Sequence, residues 1–320
     1  MQSQKLVLLV NLGSPEKLSV SAIRKFLGEF LSDKRVVGLS RLIWYPILFG
    51  VILPFRARKL LHSYQKIWLE TDSSPLTHYT KLQAQQLQHY LGESVCVDYA
   101  FTYGSRSISA VLSQKAYKNC KNLIIIPLYP QYSSSTTASV YDQLARFYAD
   151  QYFIPKLKFI NSFAGNTNYI KALADTVRQH WTKHGRAQKL IVSFHSIPLK
   201  LIHMGDSYLE ECQLTYHLLC NELNLVPDVD AKLTFQSKFG KAKWLEPATA
   251  STVTLLAEAL VESLDVICPG FISDCLETLE EIAIQNRELF INSGGKQLNY
   301  ICCLNDSIAC TEMLAQLAVD

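Results

Sequence analysis

The sequence predicts an α/β protein built from two similar doubly wound (Rossmann-like) domains, each with a four-stranded parallel sheet facing a central cleft. Three observations predict it. Short apolar runs of strand length alternate with helical segments along the whole chain, the pattern of parallel sheets covered on both faces. The alternation restarts near the middle, so each half carries four strands. In each half the first and third strands run into Pro-containing loops.

In chain order, Lys5-Leu-Val-Leu-Leu-Val-Asn11 reads as a buried strand that ends in the sharp turn Leu12-Gly-Ser-Pro15. A helix follows from about Ser19 to Leu31, with Ser19 or Ser21 as its cap. The apolar stretch Leu42–Phe55 contains Pro46, Gly50 and Pro54 and is rimmed by Arg41, Arg56, Arg58 and Lys59. It fits a buried loop, or an exposed apolar lip that rests on a membrane surface or grips a flat apolar ligand. Helices are expected from about Arg56 to Leu69, stopped by Asp72-Ser-Ser-Pro75, and from about Tyr79 to Leu91. Strands follow at Val95–Phe101, Asn122–Leu128 and Lys156–Ile160, with a helix after Ser105-Arg-Ser and another ending at Tyr148.

The second half opens with a helix from about Asn168 to Gly185 and the strand Lys189–Phe194, which ends in His195-Ser-Ile-Pro198. A helix (about Tyr208 to Leu223), a strand (Ala231–Gln236), a helix (about Thr249 to Leu264) and a strand (Asp265–Cys268) come next. Pro269 and Gly270 then break the chain before an acidic helix, capped by Ser273 or Asp274 and running through Arg287. A strand near Asn299–Cys302 and a helix from about Ser307 to Leu317 complete the pattern. The expected domains are residues 1–162, with the lip at about 40–59, and 163–305, with 306–320 a helix packing across them.

Composition narrows the function. The 320 residues are 48% apolar, enough for a large core, and the net charge of +3 with no zinc-finger spacing gives no footprint for nucleic acid. Nine cysteines without a framework pattern read as free thiols in a reducing cytoplasm. Met1-Gln-Ser-Gln-Lys5 leads straight into a strand, so no secretory leader is expected, and no apolar run is long enough to span a bilayer. Cys302, Cys303 and Cys310 read as packing residues. No Gly-x-Gly-x-x-Gly and no P-loop follows any strand, which argues against a dinucleotide or a nucleoside triphosphate.

Two strand ends carry candidate chemistry. Asp274, Glu277 and Glu281 are spaced i, i+3, i+7 and would share one helical face. Acids in a first turn suit the helix dipole and a capping box; a line of carboxylates would equally pass protons or a cation. His195, at the end of an apolar strand, suits a packed edge residue, or a base or metal ligand near neutral pH. Tyr129, Tyr132, Trp244 and Phe271 also fall at strand ends, where aromatic residues either anchor loops or wall a flat aromatic ligand.

Taken together, Asn-Leu-Gly-Ser-Pro15, Leu-Tyr-Pro-Gln-Tyr-Ser133, Ser-Phe-His-Ser-Ile-Pro198, Phe-Gln-Ser-Lys-Phe-Gly240 with Trp244-Leu245, and Pro269-Gly-Phe…Ser-Asp-Cys-Leu-Glu-Thr-Leu-Glu-Glu-Ile282 resemble the ferrochelatase family. The resemblance implies the chelatase fold and a lyase that inserts Fe²⁺ into protoporphyrin IX to form protohaem. It implies that His195 is the metal ligand or proton acceptor, that Glu277 is its acidic partner and second metal ligand, and that Asp274 and Glu281 continue an acidic line. Leu12, Tyr132, Trp244 and Phe271 would wall the porphyrin, and Arg56 and Lys59 would hold its propionates. The apolar stretch matches the family's membrane-facing lip, which implies a cytoplasmic protein with peripheral contact at the inner membrane and neighbours in haem synthesis. Iron is then a substrate, with no tightly bound cofactor, and no [2Fe-2S] cluster is expected. Other expectations of the same residues are a chelatase for coproporphyrin III or cobalt, and a non-catalytic porphyrin or haem carrier. The chain departs from the family's frequent pattern at Asp72-Ser73, at Ala250-Ser251 and at Ser134.

Overall fold

Lys5–Asn11 forms β1, whose inward side chains on both faces are buried: Leu6, Leu8 and Val10 on one, Val7 and Leu9 on the other. A strand buried on both faces needs a parallel sheet between helical layers. The computed structural model describes residues 5–117, 120–238, 240 and 242–319, so Phe239 and Lys241 of the Phe-Gln-Ser motif lie outside the described residues. The chain divides into two units: Met1–Tyr129, Ser133–Asn161 and Leu314–Asp320 form one, and Pro130–Tyr132 with Ser162–Met313 form the other.

In the first unit, β1, β2 (Cys96–Phe101), β3 (Asn122–Pro127) and β4 (Lys156–Phe159) make a parallel sheet in the order β2-β1-β3-β4. Its helices are α1 (Val20–Leu31), α2 (Arg41–Ile47), α3 (Leu53–Gln65), α4 (Pro75–Leu91), α5 (Ile108–Leu112) and α6 (Thr137–Tyr148). Ile108, Val111, Val140 and Leu144 pack on Leu6, Leu8, Leu123 and Ile125 to cover one face.

The second unit repeats the plan. Its strands β5 (Lys189–His195), β6 (Ala231–Gln236), β7 (Ser263–Ile267) and β8 (Gln297–Ile301) lie in the equivalent order β6-β5-β7-β8. They alternate with α7 (Thr167–His184), α8 (Leu199–His203), α9 (Tyr208–Glu222), α10 (Thr249–Glu258) and α11 (Arg287–Asn292). The last helix, α12 (Ile308–Val319), starts among residues of the second unit and ends among those of the first. In such a strand order the chain reverses direction across the sheet beside β1 and beside β5. The crevice there, at the strands' carboxyl ends, is where open α/β sheets bind ligands.

Several boundaries differ from expectation for local physical reasons. The apolar stretch is nearly continuous helix: α2 carries Pro46 inside it, a π-helical turn over Leu48–Ile52 follows, and Pro54 sits in the first turn of α3. The wide turn supplies the room that a proline ring and its missing N–H require. α3 ends at Gln65, and α4 starts at Pro75 because Ser74 accepts a cap bond from Thr77 N at 3.2 Å with proline in the first turn. α10 stops at Glu258, six residues short of expectation, because Leu260 turns into the left-handed region (φ 63°) before β7 begins. The acidic helix is π-helical over Glu277–Asn286 and becomes α-helical only at Arg287. Asn286 Nδ2 donates to Glu281 O at 2.8 Å, across the five-residue span of the wide turn.

Candidate functional site in the second unit

β5 and β7 are neighbours, and the carboxyl end of each supplies one half of the site. His195 is the last residue of β5. Its Nδ1 lies 2.6 Å from Ser196 O. A carbonyl only accepts, so Nδ1 carries the hydrogen and a neutral ring keeps its lone pair on Nε2. Phe271, half-buried after β7, sets its ring edge-on to the imidazole with centroids 6.5 Å apart. The turn before it is held by Tyr169, whose hydroxyl donates to Pro269 O, and by Phe271 N donating to Cys268 O at 3.1 Å.

The acidic stretch is resolved into two different situations. Asp274 precedes the helix and is 3% exposed. It accepts from Tyr300 OH at 2.5 Å, Asn305 Nδ2 at 2.6 Å and Thr278 Oγ1 at 3.0 Å. Its carboxylate ties the loop after β8 to the start of the π-helix, and it does not share a helical face with the other two acids. The expected straight line of three therefore becomes a pair. Glu277 and Glu281 remain on one side, because four residues of a wide helix still come close to one full turn.

Both acids of the pair are half-buried and both are held from the end of β6. Gln236 is 2% exposed; its Nε2 donates to Glu277 O at 2.7 Å, while its Oε1 accepts from Ser193 Oγ at 2.8 Å. Ser237, in the left-handed region at φ 65°, donates its N–H to Glu281 Oε1 at 2.7 Å and its hydroxyl to Oε2. Gln236 is also the register partner of His195 across β5 and β6. Burial raises the Glu281 carboxyl above the ordinary range, Ser237 and the charge of His195 oppose this, and Glu277 adds to it. Glu281 thus feels both the His195 imidazole and the Glu277 carboxylate. Among the described residues, His, Cys, Asp and Glu do not gather in threes at metal-ligating geometry.

Trp244 stands beside the loop that follows His195. It forms a bridge with Pro198, and the flanking Leu199 N→Lys243 O and Leu245 N→Ile197 O bonds measure 2.9 and 3.1 Å. Its indole Nε1 is buried without a hydrogen-bond partner among the described residues. Tyr132 belongs to this unit as well, with its N–H donating to Glu211 Oε2 at 2.7 Å.

The other expected residues lie in the first unit. Leu12 follows β1, its N–H donating to Asn11 Oδ1 at 2.8 Å. Arg56 and Lys59, three apart on α3, share a helical face; Arg56 is half-buried and Lys59 exposed. Gln236, Ser237 and Glu211 escaped the sequence reading of the site. A left-handed serine has no local sign in the sequence, and Gln236 sits inside a motif that carries only the family resemblance.

Residues 4–320 match the family model described as Ferrochelatase. A ferrochelatase of Herminiimonas arsenicoxydans is 47% identical over 98% of this chain and 85% of its own length. One of Vibrio atlanticus (strain LGP32) is 45% identical over 97% of this chain and 96% of its own. Among solved structures, the sirohydrochlorin chelatase SirB of Bacillus subtilis subspecies spizizenii in complex with cobalt superposes with a TM-score of 0.56 at 9% identity, covering 98% of this chain and 93% of that one. CbiX, described as the terminal enzyme for biosynthesis of sirohaem in denitrifying bacteria, gives 0.50 at 13% identity over 98% and 97%. The structural likeness shows the fold alone, whereas the family match and the identity run the length of the chain: it belongs to the ferrochelatase family.

Proposed function

We infer that the chain is a ferrochelatase, a lyase that inserts Fe²⁺ into protoporphyrin IX to give protohaem. The observation that carries this is the family match over residues 4–320; His195 at the end of β5 and the paired acids in the helix after the neighbouring β7 support it. Metal insertion has two requirements: two pyrrole protons must leave, and the iron must arrive at a ring nitrogen without being held permanently. His195 Nε2, free of the hydrogen that Nδ1 carries, accepts a pyrrole proton or ligates the entering ion. Glu277 and Glu281 form the opposite, acidic side and pass protons away or deliver iron. Two ligands on different strand ends make a looser site than a closed four-ligand centre, as transfer demands. Iron is a substrate here, and no resident cofactor is assigned.

Phe271 and Trp244 wall the flat ring, joined by Tyr132 and Leu12. An unpaired buried donor costs about 1–3 kcal/mol, and a substrate acceptor would recover that at Trp244 Nε1. Arg56 and Lys59 bind propionates. The exposed apolar face of α2 and α3 contacts a membrane surface, and no helix among the described residues is long and apolar enough to cross one. An anaerobic assay with Fe²⁺ and protoporphyrin IX, following porphyrin fluorescence and haem absorbance, tests the function. Wild type should turn over, and His195→Ala and Glu277→Gln should each lose about 10²–10⁴-fold in rate with melting temperatures kept. Wild-type porphyrin binding without insertion would overturn the enzymatic assignment, and full turnover by both variants would overturn the site.

A further inference from the structure

Pro130–Tyr132 and Ser162 mark the points where the chain enters the second unit, and one carboxylate holds both. Glu211 lies in the first turn of α9, where an acid ordinarily needs no explanation beyond the helix dipole. Here its side chain is fully employed. Oε2 accepts from Tyr132 N at 2.7 Å and from Ser162 Oγ, and Oε1 accepts from Ser207 Oγ at 3.0 Å. One turn further along α9, Thr215 Oγ1 accepts from Gln131 Nε2 at 2.9 Å and donates to Ala164 O at 2.8 Å. Phe163 N donates to Pro130 O at 2.9 Å, and Ser162 Oγ, whose one hydrogen goes to Glu211, lies 3.0 Å from the same carbonyl.

The same face of α9 thus fastens residues 130–132 and 162–164. The fastened segment reaches the site. Gln131 is 2% exposed, and a methyl group built on Gly270 would stand 3.8 Å from Gln131 Oε1 and 3.6 Å from Phe194. Gly270 directly precedes Phe271, so the segment that carries Tyr132 packs against the turn that carries the His195-facing ring.

We propose that Glu211 is a positioning residue for porphyrin binding: its carboxylate fixes the backbone of Tyr132, and so the place of the Tyr132 ring at the pocket wall. This rests on Tyr132 being a wall residue, and the experiment separates the two. Porphyrin affinity is titrated by fluorescence for wild type, Glu211→Ala, Glu211→Gln, Tyr132→Ala and the Glu211→Ala/Tyr132→Ala pair, alongside KM for porphyrin, KM for Fe²⁺ and melting temperature.

Glu211→Ala should weaken porphyrin binding about tenfold, the scale of a lost charge-assisted hydrogen bond. KM for porphyrin should rise with it, while KM for Fe²⁺ stays unchanged. Glu211→Gln keeps an oxygen for Tyr132 N and should restore affinity to within about twofold. It also keeps a test available if the alanine variant fails to fold. The double variant should bind no more weakly than Tyr132→Ala alone, since both changes remove one contact. If Tyr132→Ala weakens binding while Glu211→Ala lowers only the melting temperature, Glu211 is structural and the proposal fails with the wall assignment intact. If Tyr132→Ala leaves affinity unchanged, the wall assignment fails and the proposal with it. Additive losses in the double variant would show that Glu211 does not act through Tyr132 and would equally overturn it.

Discussion

At the residue scale, three acids that look alike in sequence have three different environments. Asp274 is buried under donors and holds a turn. Glu277 lends its carbonyl to Gln236, and Glu281 has its carboxylate bound by Ser237. For Glu281, burial raises the carboxyl above its ordinary 4.5. A folded-state value above the unfolded one means that the protonated form suits the fold better. Its contribution to stability is then full below the unfolded value and is lost as pH rises through the folded one. Glu281→Gln, a mimic of the protonated side chain, should therefore be more stable than wild type above that window. The gain should grow from about pH 4.5 toward neutrality. Urea midpoints measured across that range check it; a flat gain would mean that folding does not shift the carboxyl, and a gain largest in acid that the fold supports the charged form.

At the scale of elements, the turn after β1 shows how a backbone requirement selects a residue. Gly13 has φ 99°, and a Cβ there would stand 2.1 Å from Tyr103 O. Tyr103 N donates to Leu12 O at 3.0 Å and Thr102 N to Asn11 O at 2.8 Å, so the carbonyl cannot retreat without breaking the turn. Gly13→Ala should cost at least about 3 kcal/mol, combining left-handed strain with the clash. Thermal melts of the variant would show it; a loss below about 1 kcal/mol would mean that the loop relaxes freely. The two wide helical turns follow the same logic. One accommodates prolines in the apolar stretch, and the other brings Glu277 and Glu281 to the end of β6.

At the scale of the whole molecule, the helices over 41–65 leave an apolar face in water. Leu42 is 89% exposed and Phe55 75%, with Ile43, Phe49 and Val51 also exposed and Arg41, Arg58 and Lys59 nearby. A soluble surface without a use rarely carries so many large apolar side chains together. Basic residues at its rim would favour anionic headgroups. Wild type should float with vesicles containing phosphatidylglycerol more strongly than with neutral ones. Leu42→Ser with Phe55→Ser should weaken the binding by about tenfold or more, since each buried side chain contributes roughly 1.5–3 kcal/mol. Equal sedimentation with and without anionic vesicles would remove the membrane from the account.

The strands, their alternation with helices and the duplication into two halves are legible in the order of residues alone. Burial on both faces writes an apolar run directly into neighbouring residues such as Leu6 to Val10 and Leu190 to Val192. The same local reading puts His195 at a strand end and Glu277 and Glu281 in the helix after another, because a broken apolar run followed by polar residues is a local signal, whereas Asp274 stands before that helix. Where prolines stood in the apolar stretch, the local rule for ending helices misled, since a wide turn absorbs them. Which acid is tied down before the helix, which two stay paired, and what fastens them emerge only from the folded chain. Those outcomes depend on partners remote in the chain: Gln236 with Glu277, Ser237 with Glu281, Tyr132 with Glu211. A hydrogen bond across 41 to 79 residues leaves no pattern in either stretch, because its geometry is set by the strand order that brings the two ends together.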